Sequence, residues 1–304
     1  MSLLVVGSVA FDAIETPFGK TDKIVGGAAS YIALSCSYLC DKVNIVAVVG
    51  GDFPKEYLEN FQKHGIDTTG VQIKEGEKSF FWSGKYHDNM NQRDTLATEL
   101  NVLENFDPII PESYQDCEYL MLGNLAPALQ SVVISRLKKR PKLIVMDTMN
   151  FWMDIAMDDL KKTISEVDVL TINDEEARQL TGEYHLSKAA KAIRKMGPKH
   201  IIIKKGEHGA FLFHEDGTFY APALPLEEVF DPTGAGDTFA GGFIGHLAHT
   251  DDISFKNMKR ALVHASSMAS FCVQEFGTSK LVDLSKEEVA NRLSQFAELT
   301  HFDL

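Results

Sequence analysis

Short apolar runs rich in β-branched residues recur along the chain: Leu3–Val6, Val43–Val49, Tyr119–Leu122, Leu143–Met146, Val167–Ile172 and His200–Ile203. They are continuous rather than alternating, which predicts strands buried on both faces, as in a parallel sheet covered by helices. Helix-period stretches lie between several of them. Ser187–Met196 puts Ala189, Ala190, Ile193 and Met196 on one face and stops at Gly197-Pro198. Near the end of the chain, Ser285-Lys-Glu-Glu288 has capping-box spacing and predicts the start of a helix. The pattern is that of an α/β protein with a central, mainly parallel sheet.

Two polar stretches, about 12–24 and 70–100, break this rhythm, the second with Phe80, Phe81, Trp82 and Tyr86 interleaved. They fit a small antiparallel excursion acting as a lid, or equally a pair of long surface loops. The apolar runs end in Gly7 and Asp12, Gly50-Gly51-Asp52, Gly123-Asn124, Asp147, Asn173 with Glu176, and Lys205-Gly206. In a parallel sheet these points share the carboxyl edge, where open α/β sheets bind ligands. Six such ends together predict a composite site there.

The 304 residues carry 30 Lys+Arg against 43 Asp+Glu, a net charge of −13. That balance lacks the basic footprint of a nucleic-acid or anionic-membrane binder, so neither partner is expected. Ordinary hydrophobic and charged fractions exclude disorder, collagen and coiled coil. The four cysteines, Cys36, Cys40, Cys117 and Cys272, form no CxxC pair and no disulfide framework. Cys36 and Cys40, four apart, are expected on one helix face as small hydrophobes. Met1–Phe11 has no basic n-region and is expected to be a first strand rather than a signal peptide. The longest uncharged stretch, Ile24–Cys40, is too broken for a membrane span. A reducing, cytoplasmic location is the expectation.

The densest chemical signal is Asp231-Pro-Thr-Gly-Ala-Gly-Asp237-Thr-Phe-Ala-Gly-Gly242. Gly234-Ala235-Gly236 strips bulk from the backbone just before a helix-like run from Thr238 to about His249. Such a turn aims free N–H groups and the positive end of the helix dipole at one point, where an anion is stabilised. Asp237 sits at the lip of that cradle, as a base or merely as a complement to the dipole. Capping alone would need no glycines. Gly241, Gly242 and Gly245 continue inside the helix, each costing about 1 kcal/mol against alanine, so a neighbouring backbone or a nucleotide must approach there. No Lys-Ser or Lys-Thr follows, so this is not a Walker A loop.

Asp231–Ile244 resembles the C-terminal signature of the ribokinase-like (PfkB-type) carbohydrate and nucleoside kinases. The resemblance continues along nearly the whole chain. Gly26-Gly27-Ala28-Ala29-Ser30 is similar to the N-terminal di-glycine signature, and Val49-Gly50-Gly51-Asp52 to the downstream glycine segment. Gly65–Val71 resembles the run into the lid, Asn173-Asp174-Glu175-Glu176 the Asn-x-x-Glu motif, and Gly206-Glu207-His208-Gly209 the nucleotide-side turn.

The resemblance implies a single kinase domain over residues 1–304, with a three-layer fold and a small β lid. It implies transfer of the ATP γ-phosphoryl group to a hydroxymethyl or other alcohol oxygen. Residue by residue, it implies Asp237 as general base and Gly234, Ala235 and Gly236 as the anion hole. Asn173 and Glu176 would hold Mg²⁺ through water, and Gly206 and Gly209 would flank the nucleotide. Asp12, Gly26 and Gly27 would contact substrate hydroxyls. Asp231 and Thr233 lie where many relatives bind a monovalent cation such as K⁺. His264 lies in a stretch, Ala261–Gly277, that should run along the nucleotide. Its Ala, Val and Met neighbours favour a core histidine over a contact with the base.

There are departures. Tyr31 stands where many sugar-kinase members have a substrate-touching asparagine, and it either stacks on a ring or fills core. Asp147-Thr-Met-Asn150 lacks the arginine of the corresponding strand end. Lys204 and Lys205 could approach phosphates or end a strand in solvent. The leading substrate reading is a free sugar or sugar-like alcohol. The runner-up is a nucleoside, with Tyr31, Phe81 and Trp82 available to stack on a base. A non-catalytic sugar or nucleotide sensor is the reading from another class, and an exposed lid edge would invite a homodimer.

Overall fold

The computed structural model describes residues 1–301. In chain order the strands are β1 (Leu3–Val6), β2 (Ala10–Thr16), β3 (Gly19–Lys20), β4 (Ile24–Gly26), β5 (Val43–Gly50), β6 (Ile66–Lys74), β7 (Phe81–Tyr86), β8 (Arg93–Glu99), β9 (Tyr119–Leu122), β10 (Leu143–Asp147), β11 (Val169–Asn173), β12 (His200–Lys204), β13 (Ala210–His214) and β14 (Gly217–Ala221). The main sheet runs β14-β13-β12-β11-β10-β9-β1-β5-β6. It is parallel from β6 to β12 and ends in the antiparallel hairpin β12-β13-β14.

The inner strands β1, β9 and β10 are buried throughout, which is why they lack alternation in the sequence. Helices cover both faces. One core layer includes Leu3, Val5, Ile32, Phe243, Ile244 and Met268; the other includes Leu4, Val6, Val133, Leu160, Ile193 and Ile203. Each large aliphatic side chain so buried contributes roughly 1.5–3 kcal/mol. The predicted helix at Ser187–Met196 spans Leu186–Arg194, and the capping box at Ser285 and Glu288 opens Lys286–Thr300.

The two polar stretches meet as a smaller sheet, β3-β2-β7-β8, with β4 paired to β2. Its pairings are antiparallel except β2 with β7. Two details differ from the sequence expectation. Residues 66–74 stay in the main sheet as β6, so the second excursion starts at Phe81. β6 is the sheet's outer strand and half exposed, which gives it the polar look of a loop. Asp12 likewise lies within β2, not at the end of a main-sheet strand.

The helix Ala235–Thr250 is clamped between two others, and its inner glycines answer to neighbouring backbone. A Cβ on Gly241 would meet the carbonyl of Ile32 at 2.5 Å, one on Gly245 the Cα of Cys36 at 3.1 Å, and one on Gly242 the Cα of Ala265 at 2.8 Å. All four cysteines are buried and reduced, and the Cys36 thiol points at the carbonyl of Gly241, 3.2 Å away. Among the described residues, no helix is long and apolar enough to cross a membrane.

Candidate active site

The site is built on the start of the helix Ala235–Thr250. Gly234 is its N-cap, at φ 75°, a conformation that glycine adopts without strain. Asp231, fully buried, holds the approach: one carboxylate oxygen accepts the Thr233 N–H (2.8 Å) and the other the Gly277 N–H (2.9 Å). The Ala235 N–H donates to the Pro232 carbonyl and the Thr238 N–H to the Gly234 carbonyl. The amides of Gly236 and Asp237 between them have no backbone acceptor and form the mouth of an anion cradle.

Asp237 stands in this first turn. Burial, then repulsion from Asp147, pushes its carboxyl up to about 7, with Lys204 and Arg93 pulling it back down. A carboxylate poised there suits proton abstraction near neutral pH. Beneath the cradle, Lys204 at the end of β12 reaches Asp147 at the end of β10, Nζ to Oδ2 2.7 Å. A Cβ on Gly236 would lie 3.0 Å from the same Nζ. Burial pushes the Lys204 ammonium down, but the charges of Asp147 and Glu176 outweigh it and hold it above its ordinary value. Lys204 is therefore a largely buried, paired cation at the cradle floor, not a solvated strand end.

Asn173 and Glu176 cap the helix Asp174–Thr181 reciprocally. The Glu176 N–H donates to Asn173 Oδ1 (2.7 Å) and the Asn173 N–H to Glu176 Oε2 (3.0 Å). Burial pushes the Glu176 carboxyl up to about 7, and its Oε1 is left outside the cap. This donor set suits one or two water-mediated contacts to a magnesium ion that also holds phosphates. It is no all-protein cage, and no group of three or more acidic, His or Cys side chains is arranged for a metal among the described residues.

Asp12 enters from β2, buried, with its carboxyl pushed up to about 7 by burial and by Asp231 and Asp237. It lies against Gly26, where a Cβ would run into its carboxylate. Gly27, at φ 89°, sits where a Cβ would meet the Ser8 carbonyl at 2.5 Å. Tyr31 is buried beneath Gly234, and its hydroxyl has no hydrogen-bond partner among the described residues.

The remaining sequence-predicted residues divide. Gly206 and Gly209 frame a single turn between β12 and β13; Gly209 packs on the backbone of Ala221 and Pro222, while Gly206 faces Asn91. His264 stands away from the cradle: its ring stacks on His246, centroids 4.2 Å apart, between the helices Ala235–Thr250 and Phe255–Cys272. Burial pushes it down to about 4, as for a core histidine.

Three residues of the β7-β8 hairpin reach the site; the sequence marks Tyr86 only as one of the aromatics of the lid stretch and gives no signal for Arg93 or Asn91. The Thr233 hydroxyl donates to the Tyr86 hydroxyl at 3.1 Å. Arg93 pairs with Tyr86 across β7 and β8 and lies over the Trp82 ring at 5.5 Å. Asn91 approaches Gly206 from the hairpin loop.

A glycine cradle at a helix N-terminus, a carboxylate at its lip, a buried lysine at its floor and a second carboxylate facing it from a separate sheet define a phosphotransferase with an alcohol acceptor. Residues 2–284 match the family model described as pfkB family carbohydrate kinase, and the chain belongs to that family. It is 34% identical over 249 residues to a protein of Thermococcus kodakarensis named cytidine kinase, covering 80% of this chain and 87% of that one. Its fold is that of the Methanocaldococcus jannaschii nucleoside kinase, with a TM-score of 0.77 at 19% identity over 97% of this chain and 99% of that one. It is also that of the Salmonella enterica aminoimidazole riboside kinase, solved with aminoimidazole riboside and an ATP analogue. That TM-score is 0.73 at 20% identity, over 96% of this chain and all of the other. The chain is a small-molecule kinase acting on an alcohol group of a sugar or sugar-like compound.

Proposed function

We propose that the chain phosphorylates a ribonucleoside, with ATP as donor. The observation that carries this choice over a free sugar is the pairing of Asp12 with Trp82. The two are directly opposite in β2 and β7, the carboxylate buried and the indole partly exposed. A ribose hydroxyl on Asp12 then has an aromatic surface beside it for a base, and stacking there adds about 1 kcal/mol beyond area burial. The relative named cytidine kinase supports the same choice.

Asp12 and the Gly26-Gly27 backbone accept and orient the acceptor's hydroxyls. Asp237 takes the proton of the attacking hydroxyl as the new oxygen–phosphorus bond forms and the bond to the ADP oxygen breaks. The Gly236 and Asp237 N–H groups, framed by Gly234 and Ala235, bind the charge that collects on the moving phosphoryl, and Lys204 supports them from below. Mg²⁺, when bound, supplies counter-charge to the phosphates, with Asn173 and Glu176 holding its waters. Gly206 and Gly209 give the nucleotide a bulk-free turn to lie against. Asp231, Thr233 and the loop to Gly277 form the segment for a monovalent cation such as K⁺, whose charge would offset the burial of Asp231.

The whole chain acts as one kinase unit, with the small sheet as its lid. The exposed edge of β8 suits pairing with a second copy, and buried, reduced cysteines suit the cytoplasm.

The test is ADP release over a panel of nucleosides, sugars and sugar acids, with Mg²⁺, with and without K⁺, and with Asp237→Asn as control. Turnover of nucleosides but not of ribose or fructose is expected, and the reverse would overturn the choice. Silence across the panel while ATP still binds would favour a sensor.

A further inference from the structure

Five carboxylates surround the cleft, Asp12, Asp147, Asp231, Asp237 and Glu176, and among the described residues two cations face them, Lys204 and Arg93. Lys204 is held by Asp147. Arg93 makes no ion pair with any carboxylate among the described residues, although it stands in an acidic cleft.

Its position is defined by the hairpin that carries it. Tyr86, directly across from Arg93, is anchored on Thr233 beside the cradle, and the Arg93 charge acts on the same Tyr86 hydroxyl. The loop between them is internally braced. Asn89 Oδ1 accepts the Asn91 and Gln92 N–H groups, and the His87 N–H donates to the Gln92 carbonyl. Asn91 comes down against Gly206 on the nucleotide side. The hairpin thus has one foot beside the anion cradle and the other on the nucleotide turn. Arg93 is carried by that hairpin at the Tyr86 end, its guanidinium over Trp82 at 5.5 Å. Its charge acts on Asp12, Asp237 and Glu176, which lie on three different elements around the path from donor to acceptor.

We propose that Arg93 is a catalytic residue delivered by the small sheet, whose guanidinium meets the equatorial oxygens of the phosphoryl group as it passes from ATP to the acceptor. The inference rests on the kinase reading of the site. A planar fork with several donors matches two phosphoryl oxygens at once, which an ammonium does not. Arg93 exchanges no proton: the hydroxyl proton goes to Asp237, one phosphorus–oxygen bond forms and one breaks, and the guanidinium contributes charge alone. Lys204 below and Arg93 above hold the group from opposite sides of the cradle.

The experiment compares Arg93→Gln and Arg93→Lys with wild type. Arg93 is exposed, so both variants should fold, which thermal unfolding checks. For Arg93→Gln, kcat should fall about 10²–10³-fold, as for loss of a positioned cation in phosphoryl transfer. KM values should stay within about threefold, and Arg93→Lys should recover part of the loss. The readout independent of turnover is calorimetric affinity for Mg-ADP with aluminium fluoride, which mimics the phosphoryl in transit, against Mg-ADP alone. Arg93→Gln should weaken the first about 10²-fold and leave the second unchanged. Equal weakening of both would make Arg93 a ground-state nucleotide contact and overturn the proposal. So would a change confined to the acceptor's KM, or no change at all. A wild-type chain that turns over no acceptor would defeat the substrate reading, while the aluminium fluoride comparison still decides the role of Arg93.

Discussion

The ring of Tyr31 lies directly beneath Gly234. A Cβ on that glycine would meet three of the ring carbons at 2.5 Å. The N-cap of the cradle's helix therefore rests on an aromatic side chain from the helix Ala28–Ser37, next to the Gly236 turn that Lys204 backs, and the cradle's shape depends on it. Tyr31 fills core rather than stacking on a substrate ring, and burial together with Asp12 and Asp231 holds its phenol well above the ordinary range.

The Tyr31 hydroxyl is buried without a partner, a state that costs stability. Tyr31→Phe should raise stability by about 1 kcal/mol, seen as a shift of roughly 2–4 °C in Tm. Tyr31→Ala should lose about 3–5 kcal/mol through the cavity it leaves and should disturb turnover by letting Gly234 move. An unchanged or lowered Tm for Tyr31→Phe would mean that the hydroxyl has a partner in solution.

Asp237→Asn should reduce turnover at least ~10²-fold with little change in ATP affinity. In wild type, kcat/KM should fall as pH drops below about 7, where the half-buried carboxyl takes up a proton. The same substitution should stabilise the fold. A carboxyl whose folded pKa is raised favours the folded state as pH falls from about 7 toward its unfolded value, so its ionised form is a burden at pH 8. Asp237→Asn should gain on the order of 1–3 kcal/mol at pH 8 and much less at pH 5. Equal Tm differences at the two pH values would show that Asp237 is not shifted.

Removing Lys204 alone leaves Asp147 buried and unpaired. Lys204→Met should cost about 3–5 kcal/mol, and the double variant Asp147→Asn/Lys204→Met should recover most of that stability without recovering turnover. Because the Lys204 charge lowers the Asp237 carboxyl, the acid limb of kcat/KM should move to higher pH in Lys204→Met; in the double variant the loss of the Asp147 charge, which acts the other way and more strongly, should cancel or reverse that move. A double variant with wild-type turnover would reduce the pair to a structural one.

His200 and His264 are pushed down to about 4, chiefly by burial. A histidine with a depressed folded pKa supports folding above about 6.5, and that support is lost as pH falls from there to 4. His264→Leu should therefore flatten the acid side of the stability curve measured by urea unfolding between pH 7 and pH 4. A curve parallel to that of wild type would show that His264 is not buried as a neutral ring.

The parts of the site that were legible in the sequence are those made by contiguous residues. Asp231–Asp237 contains its own turn, its own cap and its own carboxylate, so local chemistry suffices to read it. The buried strands were legible for a similar reason, since an apolar run needs no partner to be recognised. Lys204 was ambiguous because β12 is buried on both faces and shows no alternation that would orient its last side chain. Arg93 and Asn91 look like ordinary polar residues of an exposed strand and its turn, and Tyr86 like one more lid aromatic; only the register of β7 and β8 and the seat of the hairpin bring them to the cleft. The end of β6 has the sequence of a loop because an outer strand with one wet face carries polar residues. The hairpin β13-β14 went unread because its strands, lying near the sheet edge, mix buried and half-exposed positions.

Asp12 belongs to the small sheet and Asp237 to a helix packed on the large one. In the proposed mechanism, the group that grips the acceptor and the group that deprotonates it therefore belong to different parts of the fold. A water molecule that reaches the cradle meets Asp237 without the hydroxyl pattern that Asp12 reads, so on that mechanism it is a poorer acceptor than the substrate and the nucleotide is spared. Thrift with ATP is in this way a property of how the chain is threaded, with the substrate's carboxylate placed on an excursion from the first strand and the base more than two hundred residues later.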